Sequence, residues 1–243
     1  MPDIPLSTTD KALVAAILPV YNEGKHIRGV LNALHHVSLL REIIVVDDGS
    51  EDDSVEQILQ AREEDPRIHL RLHPTNRGKG EAIFTGWRST HSPYILLLDT
   101  DLHGLTPQHI LDLCLPVLKG EADMTMGLFR KGRLITDLSH LTTPWLTGQR
   151  CLRAEILACV PPEAAVGYGF ELALTAAARE HGYRIRRVFL KGVWHPPSEM
   201  HRGLRQGILW RAHMYAQILH SAYILTRLKW ARVKAYLAEI IST

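Results

Sequence analysis

Short unbroken apolar runs alternate along this chain with longer stretches in which apolar residues recur every three or four positions. LVAAILPV (Leu13 to Val20) is the first run, stopped by Pro19. Its shape fits a strand buried on both faces. YNEGKHIRGVLNALHHV follows, with Ile27, Val30, Leu31 and Leu34 at helical spacing, and predicts a helix from near Glu23. REIIVV (Arg41 to Val46) predicts a second buried strand. DDGSEDDSVEQILQAREED then turns into a second helix capped by Ser50 or Asp52. RIHLRL (Arg67 to Leu72) alternates as a third strand, and NRGKGEAIFTGWRST is a Gly-rich entry to a third helix. YILLL, from Tyr94, reads as a fourth strand. LTPQHILDLCLPVLKG opens with Thr106 as cap and Pro107 at the first helical position, and closes on Gly120. ADMTMG (Ala122 to Gly127) predicts a fifth strand.

This alternation predicts an α/β fold, a mostly parallel sheet with helices on both faces. After Gly127 the pattern loosens. LFRKGRLITDLSHLTTPWLTG reads as a loop with basic Arg130, Lys131 and Arg133. Helices are predicted over Gln149 to Ala158 and Phe170 to His181, and YRIRRVFL (Tyr183 to Leu190) reads as a strand. From Gly203 onward Ile208, Ala212, Tyr215 and Leu219 mark an amphipathic helical tail.

Composition adds little until it is read by position. The chain has 243 residues, 46% hydrophobic and 22% charged, enough for one large domain or a domain with an appendage. Its net charge of +2 hides a gradient: from His201 onward Arg202, Arg205, Arg211, Arg227, Lys229, Arg232 and Lys234 face only Glu239. An anionic partner belongs near that tail. Cys114, Cys151 and Cys159 form no CxxC pair or disulfide framework and read as small buried residues of a reducing compartment. Asp3 and Asp10 stand where a secretory signal wants basic residues. The apolar stretch Met214 to Leu225 is interrupted by Gln217, His220 and Ser221, and falls short of the about 20 residues that span a bilayer. The expectation is a cytoplasmic protein, at most peripheral to a membrane. Nothing in the tail matches a nucleic-acid-binding motif.

Ligands of open α/β sheets bind at the carboxyl ends of the strands. Three such ends carry polar clusters: Pro19-Val20-Tyr21-Asn22-Glu23, Asp47-Asp48-Gly49-Ser50 and Asp99-Thr100-Asp101. Brought to one edge, these acids repel one another unless a cation or hydrogen-bond donors compensate them. Hard oxygen ligands suit Mg²⁺ or Mn²⁺, with substrate phosphates completing the coordination.

LPVYNEG, IIVVDDGSEDDS, NRGKGEAIFTG and LLLDTDL, in that order, resemble the nucleotide-sugar half of family 2 glycosyltransferases, whose fold is called GT-A. WLTGQRCLRAEIL and GYGFELALTAAAREHGYRIRRV resemble its acceptor half. The expected organisation is a GT-A domain over 1–200, with a nucleotide-sugar half at 12–127 and an acceptor half at 128–200, followed by a basic tail at 201–243. The resemblance implies that Pro19, Tyr21 and Glu23 line the base and ribose pocket and that Asp48 hydrogen-bonds the nucleobase. It places Asp99 near the ribose or metal and Asp101 on the metal itself. Gly78, Lys79 and Gly80 would let backbone approach the phosphates, with Lys79 adding charge. His195, in KGVWHPP, is the candidate third ligand, with His201 as the other histidine that could ligate; His103 is an outer-shell candidate. Glu171 would be the general base for a hydroxyl acceptor, or simply a carboxylate favoured at a helix N-terminus. Gln149 and Arg150 would shape the acceptor side, Arg150 through its planar fork on a phosphate. Trp145 is a pocket wall or packing.

The activity implied is metal-dependent transfer, with inversion, from a UDP- or GDP-sugar to an acceptor. Similarity in size and first-half motifs points to a polyprenyl phosphate, with the tail lying on an anionic membrane surface. The tail would otherwise cover the sheet or join two copies as a homodimer. The alternative acceptor is soluble and phosphorylated, as for glucosyl-3-phosphoglycerate synthase. A non-catalytic nucleotide-sugar binder is the remaining alternative. A dinucleotide-binding oxidoreductase would need a Gly-rich turn after the first strand, where LPVYNEG stands. A sugar nucleotidylyltransferase would need an early Gly/Arg-rich loop that is missing.

Overall fold

The computed structural model describes residues 13–130, 147–165, 169–195, 216–217 and 219–228. Lys131, Arg133, Trp145, His201 and most of the basic tail lie outside them, as does the expected domain boundary at 200.

Seven strands form one sheet: β1 Val14–Val20, β2 Leu40–Asp47, β3 Ile68–Leu72, β4 Tyr94–Leu97, β5 Met124–Arg130, β6 Arg150–Arg153 and β7 Ile185–Lys191. Their order is β3-β2-β1-β4-β6-β5-β7. All neighbours run parallel except β6, which is antiparallel to β4 and β5. The helices are α1 Gly24–His35, α2 Ser54–Glu64, α3 Lys79–Arg88, α4 Pro107–Leu118, α5 Glu155–Ala158, α6 Gly169–Glu180 and a tail segment, α7, at 219–228.

One element departs from the expectation. The helix predicted over Gln149 to Ala158 is a strand followed by the short α5. Cys151 and Leu152 are both buried, on opposite faces of the sheet, where they join different core clusters. A run of four residues is too short for periodicity to separate strand from helix, and the gap between β4 and β5 decides it.

The core has two layers. Side chains of α1, α2 and α4 pack on one face of the sheet. Those of α3, α5, α6 and α7 pack on the other. Ile27, Val30, Leu31 and Leu34 of α1 are all buried, as their spacing predicts, each contributing up to roughly 1.5–3 kcal/mol.

The far end of α1 is closed by a single arginine. Arg67 donates to the carbonyls of His35 (2.7 Å) and Val37 (2.8 Å) and to Asp65 (2.7 Å). These carbonyls are the ones a helix end leaves without internal partners. Burial pushes the Asp65 carboxyl up, but the hydrogen bonds and charge of Arg67 outweigh it and hold it below the ordinary 3.8. That stabilisation is therefore present above the ordinary carboxylate range and is lost as pH falls through the depressed value. Arg67→Met should cost roughly 2–3 kcal/mol in urea unfolding at neutral pH, with the gap to wild type narrowing on acidification.

Candidate active site

The first two polar clusters form one structural unit. Asn22 leaves β1 at a positive φ of 56°, and its side chain accepts from the Glu51 N–H at 2.8 Å. Ser54 Oγ accepts from Glu23 N at 2.9 Å and Asp52 Oδ2 from Gly24 N at 3.0 Å. The loop after β2 thus caps the N-terminus of α1 from outside, a task that falls to neither helix's own cap residue.

Asp47 and Asp48 point to different tasks. Asp48 Oδ1 takes His73 Nδ1 at 2.7 Å and Arg77 N at 2.9 Å, and its Oδ2 takes Gly78 N at 2.7 Å. His73 Nε2 reaches Thr85 Oγ1 at 2.9 Å. Asp48, expected at the nucleobase, bolts the entry of α3 to the end of β2. The Asp47 side chain accepts through Oδ2 from Ser50 N, at 3.1 Å; its Oδ1 is buried with no hydrogen-bond partner among the described residues. It lines a cavity of about 640 Å³ together with Tyr21, Leu72, His73, Pro74 and Asn76. Pro19, expected beside Tyr21, contributes a carbonyl that accepts from Thr100 Oγ1.

The turn that Asp48 fixes delivers Lys79. Gly78 precedes it at φ 90°, a conformation other residues rarely adopt. Lys79 Nζ lies 2.6 Å from Asp99 Oδ1 and 2.5 Å from Glu171 Oε1. Burial works against its charge, but these two carboxylates outweigh it and raise its pKa far above the ordinary value. Asp99 is held from its other side by Gln149 Nε2 at 2.7 Å, and a methyl group at Gly148 would overlap its carboxylate. Its pKa is raised by burial and lowered by more by Lys79 and His195, so the carboxylate stays charged.

The remaining ligand is brought in by an isolated bridge. His103 and Trp194 exchange backbone hydrogen bonds of 2.9 and 3.1 Å, and their rings stack with centroids 4.6 Å apart. This clips the segment after β7 onto the Asp99-Thr100-Asp101 turn and sets His195 Nδ1 2.7 Å from Asp101 Oδ1. His195 Nε2 is 3.9 Å from Asp99 Oδ2. Although burial disfavours the imidazolium, the Asp101 hydrogen bond and the charges of Asp101 and Asp99 raise its pKa. Ligand atoms of Asp99, Asp101 and His195 all lie within 4.8 Å of one another. Two oxygens and a nitrogen in that span suit an ion with bonds of about 2.1 Å.

Three expected residues turn inward. Arg150 is fully buried, donating to Thr147 O (2.9 Å), Thr175 Oγ1 (2.8 Å) and Glu171 O (3.2 Å). Burial depresses its pKa to about 10, with Glu171 and Asp99 opposing. Its fork braces α6 and is not presented to an acceptor phosphate, which corrects the expectation. Gln149 is likewise buried, and its partner is Asp99, not an acceptor. Glu171 is buried with Oε1 on Lys79 and with Oε2 unpartnered among the described residues.

Asp47, His73 and Trp194, the partner of His103 in the clip, were missed as site residues. His73 was findable, because the strand-end rule applies to β3 as much as to β2. The clip joins residues too far apart in the chain for any spacing to show.

Residues 15–180 match the profile of Glycosyl transferase family 2, and the chain belongs to that family. Its fold is the GT-A arrangement of the structural neighbours. A crystal structure of glucosyl-3-phosphoglycerate synthase from Mycobacterium tuberculosis, in complex with phosphoglyceric acid, superposes with a TM-score of 0.65. It is 24% identical, over 87% of this chain and 80% of that one. An uncharacterized glycosyltransferase of Haemophilus influenzae is 37% identical over 90 residues. That match spans 37% of this chain and only 36% of the relative's length. The polyprenol monophosphomannose synthase of Mycolicibacterium smegmatis is 25% identical, across 74% of this chain and 76% of its own.

Among the described residues the rim gathers Glu23, Asp52, Asp99 and Asp101. Burial, then the charges of Asp101, Asp52 and Asp99, push the Glu23 carboxyl from the ordinary 4.5 up to about 7, with His195 opposing. Folded protein then binds more protons than unfolded protein between those values, so this group erodes stability as pH rises through that window. In metal-free buffer Glu23→Gln should raise the thermal midpoint at about pH 8 and leave it nearly unchanged at about pH 4. Equal gaps at both pH values would remove Glu23 from the acidic field.

Proposed function

We propose that this chain is a metal-dependent glycosyltransferase that moves a sugar from a nucleoside-diphosphate sugar to a phosphorylated acceptor, with inversion at the anomeric carbon. The cluster of Asp99, Asp101 and His195 is the observation that carries the reading, with a cavity walled by Tyr21 and Asp47 at the ends of β1 and β2 as its second support. Asp101 and His195, with Asp99, would hold Mn²⁺ or Mg²⁺, which neutralises charge on the leaving nucleoside diphosphate. Tyr21, 44% exposed, offers its ring to the base. Asp47 has one acceptor oxygen without a partner among the described residues, which suits uracil with its single ring N–H better than guanine with two adjacent donors. Lys79 holds Asp99 in place and brings the one cation among these groups toward the phosphates.

The acceptor reading rests on Glu171. A hydroxyl acceptor needs a base free to take its proton. Here one carboxylate oxygen is paired with Lys79, the other is buried away from solvent, and the α6 backbone is braced by Arg150. Its work is to orient Lys79, and an acceptor already anionic needs no base. A polyprenyl phosphate fits the relative that aligns across three quarters of both chains. A soluble phosphorylated acceptor is the second reading, favoured by 27% identity over 194 residues to the glucosyl-3-phosphoglycerate synthase of Mycobacterium tuberculosis.

Two variants test this. In a screen of UDP- and GDP-sugars with Mn²⁺, Asp101→Ala should lower metal-dependent turnover by about a hundredfold or more, with an unchanged far-UV spectrum. Undiminished turnover removes Asp101 from the metal. Glu171→Gln should cost roughly tenfold or less with a phosphate acceptor, whereas loss of a general base costs about 10²–10⁴. The larger loss would restore a hydroxyl acceptor.

A further inference from the structure

The helix α7 has a buried face and a face without a partner among the described residues. Ser221 is fully buried, and a side chain at Gly169 would run into its Oγ. Ile224 and Leu225 pack on the same core layer as α3 and α6. These three residues follow helical spacing and seat α7 on the start of α6, two residues from Glu171. Leu219 and Tyr223, one turn apart on the outer side, are 70% and 58% exposed. Arg227 continues that row, its guanidinium 5.8 Å from the centre of the Tyr223 ring.

The sheet edge repeats this chemistry on the same face. On β7, Ile185 packs with the α6 layer while Val188 and Leu190 belong to the opposite one. Strand alternation then turns Arg187, Phe189 and Lys191 toward the α6 and α7 side. All three are exposed, Phe189 by 50%. Aliphatic and aromatic side chains thus stand among arginine and lysine. The sequence around α7 has no acidic residue between His201 and Ala238. Apolar side chains that enter the headgroup region, flanked by cations that meet its charge, are what an interfacial membrane helix presents. No described helix is long and apolar enough to cross a bilayer.

We propose that this face, built from Leu219, Tyr223 and Arg227 of α7 with Arg187, Phe189 and Lys191 of β7, docks on a bilayer rich in anionic phospholipid. The inference rests on the lipid-phosphate reading of the acceptor and gives it a geometry. A docked α7 holds the start of α6, and with it Glu171 and Lys79, near headgroup depth. There a lipid phosphate reaches the site without its chain leaving the membrane.

The test is co-sedimentation of the full chain with phosphatidylcholine vesicles, with and without phosphatidylglycerol, at low and high salt. Wild type should pellet with the anionic vesicles, less so at high salt. The double variant Leu219→Glu/Tyr223→Glu should bind them about tenfold more weakly or worse. Its calorimetric affinity for UDP with Mn²⁺ should be unchanged. Arg187→Glu/Lys191→Glu, on an exposed edge, is the second variant and should weaken binding while flattening its salt dependence. Wild type that stays in solution with anionic vesicles overturns the proposal, as do variants that pellet like wild type. A wild-type dimer that Leu219→Glu/Tyr223→Glu converts to monomer overturns it in favour of self-association. Failure of wild type to bind either UDP or GDP with Mn²⁺ would instead sink the transferase reading, whatever the vesicles show.

Discussion

The structure depends on one half-buried cation placed between two carboxylates. Lys79 reaches Asp99 at 2.6 Å and Glu171 at 2.5 Å, one acid following β4 and the other on α6. Without it, two buried negative charges would face a rim that already holds Asp101 and Glu23. Nearly every other feature near the site serves its placement. Asp48 and His73 fix the Gly78 turn, Gln149 and Gly148 hold Asp99 from behind, and Arg150 braces the backbone of Glu171. Negative charge is compensated on the Lys79 side and left in excess on the Asp101 side, which is where a divalent ion has something to gain.

The strand ends were the legible part of the sequence. Apolar runs closed by polar clusters placed β1 through β5 and their helices, because a strand buried on both faces tolerates no polar residue until it leaves the sheet. The same logic gathered Asp99, Asp101 and the clusters after β1 and β2 on one edge. His195 was reachable because KGVWHPP follows a strand. What the chain's linear order could not convey was reciprocity. Asp47 and Asp48 are adjacent and chemically identical. Only the packing of His73, at the end of the neighbouring strand, decides which carboxylate is engaged and which lines the cavity. Arg150 looked like a phosphate ligand because its residue type suits one, yet an arginine can equally be enclosed when backbone carbonyls and a threonine satisfy its donors.

The strand β6 was misread for a related reason. Its four residues carry no periodicity of their own, and their conformation is set by pairing to β4 at Leu96↔Cys151 and Ile95↔Leu152. A purely local reading had no access to that partner. The pairing matters for the site, since it turns Gln149, immediately before the strand, toward Asp99.

The reversed direction of β6 has an architectural outcome. The parallel strand β5 ends at the rim where the acids gather, and β6, running the opposite way, starts there. Chain leaving at Arg130 and returning at Thr147 is anchored at both ends beside the mouth of the cleft. Lengthening or replacing that connection would leave every ladder of the sheet untouched.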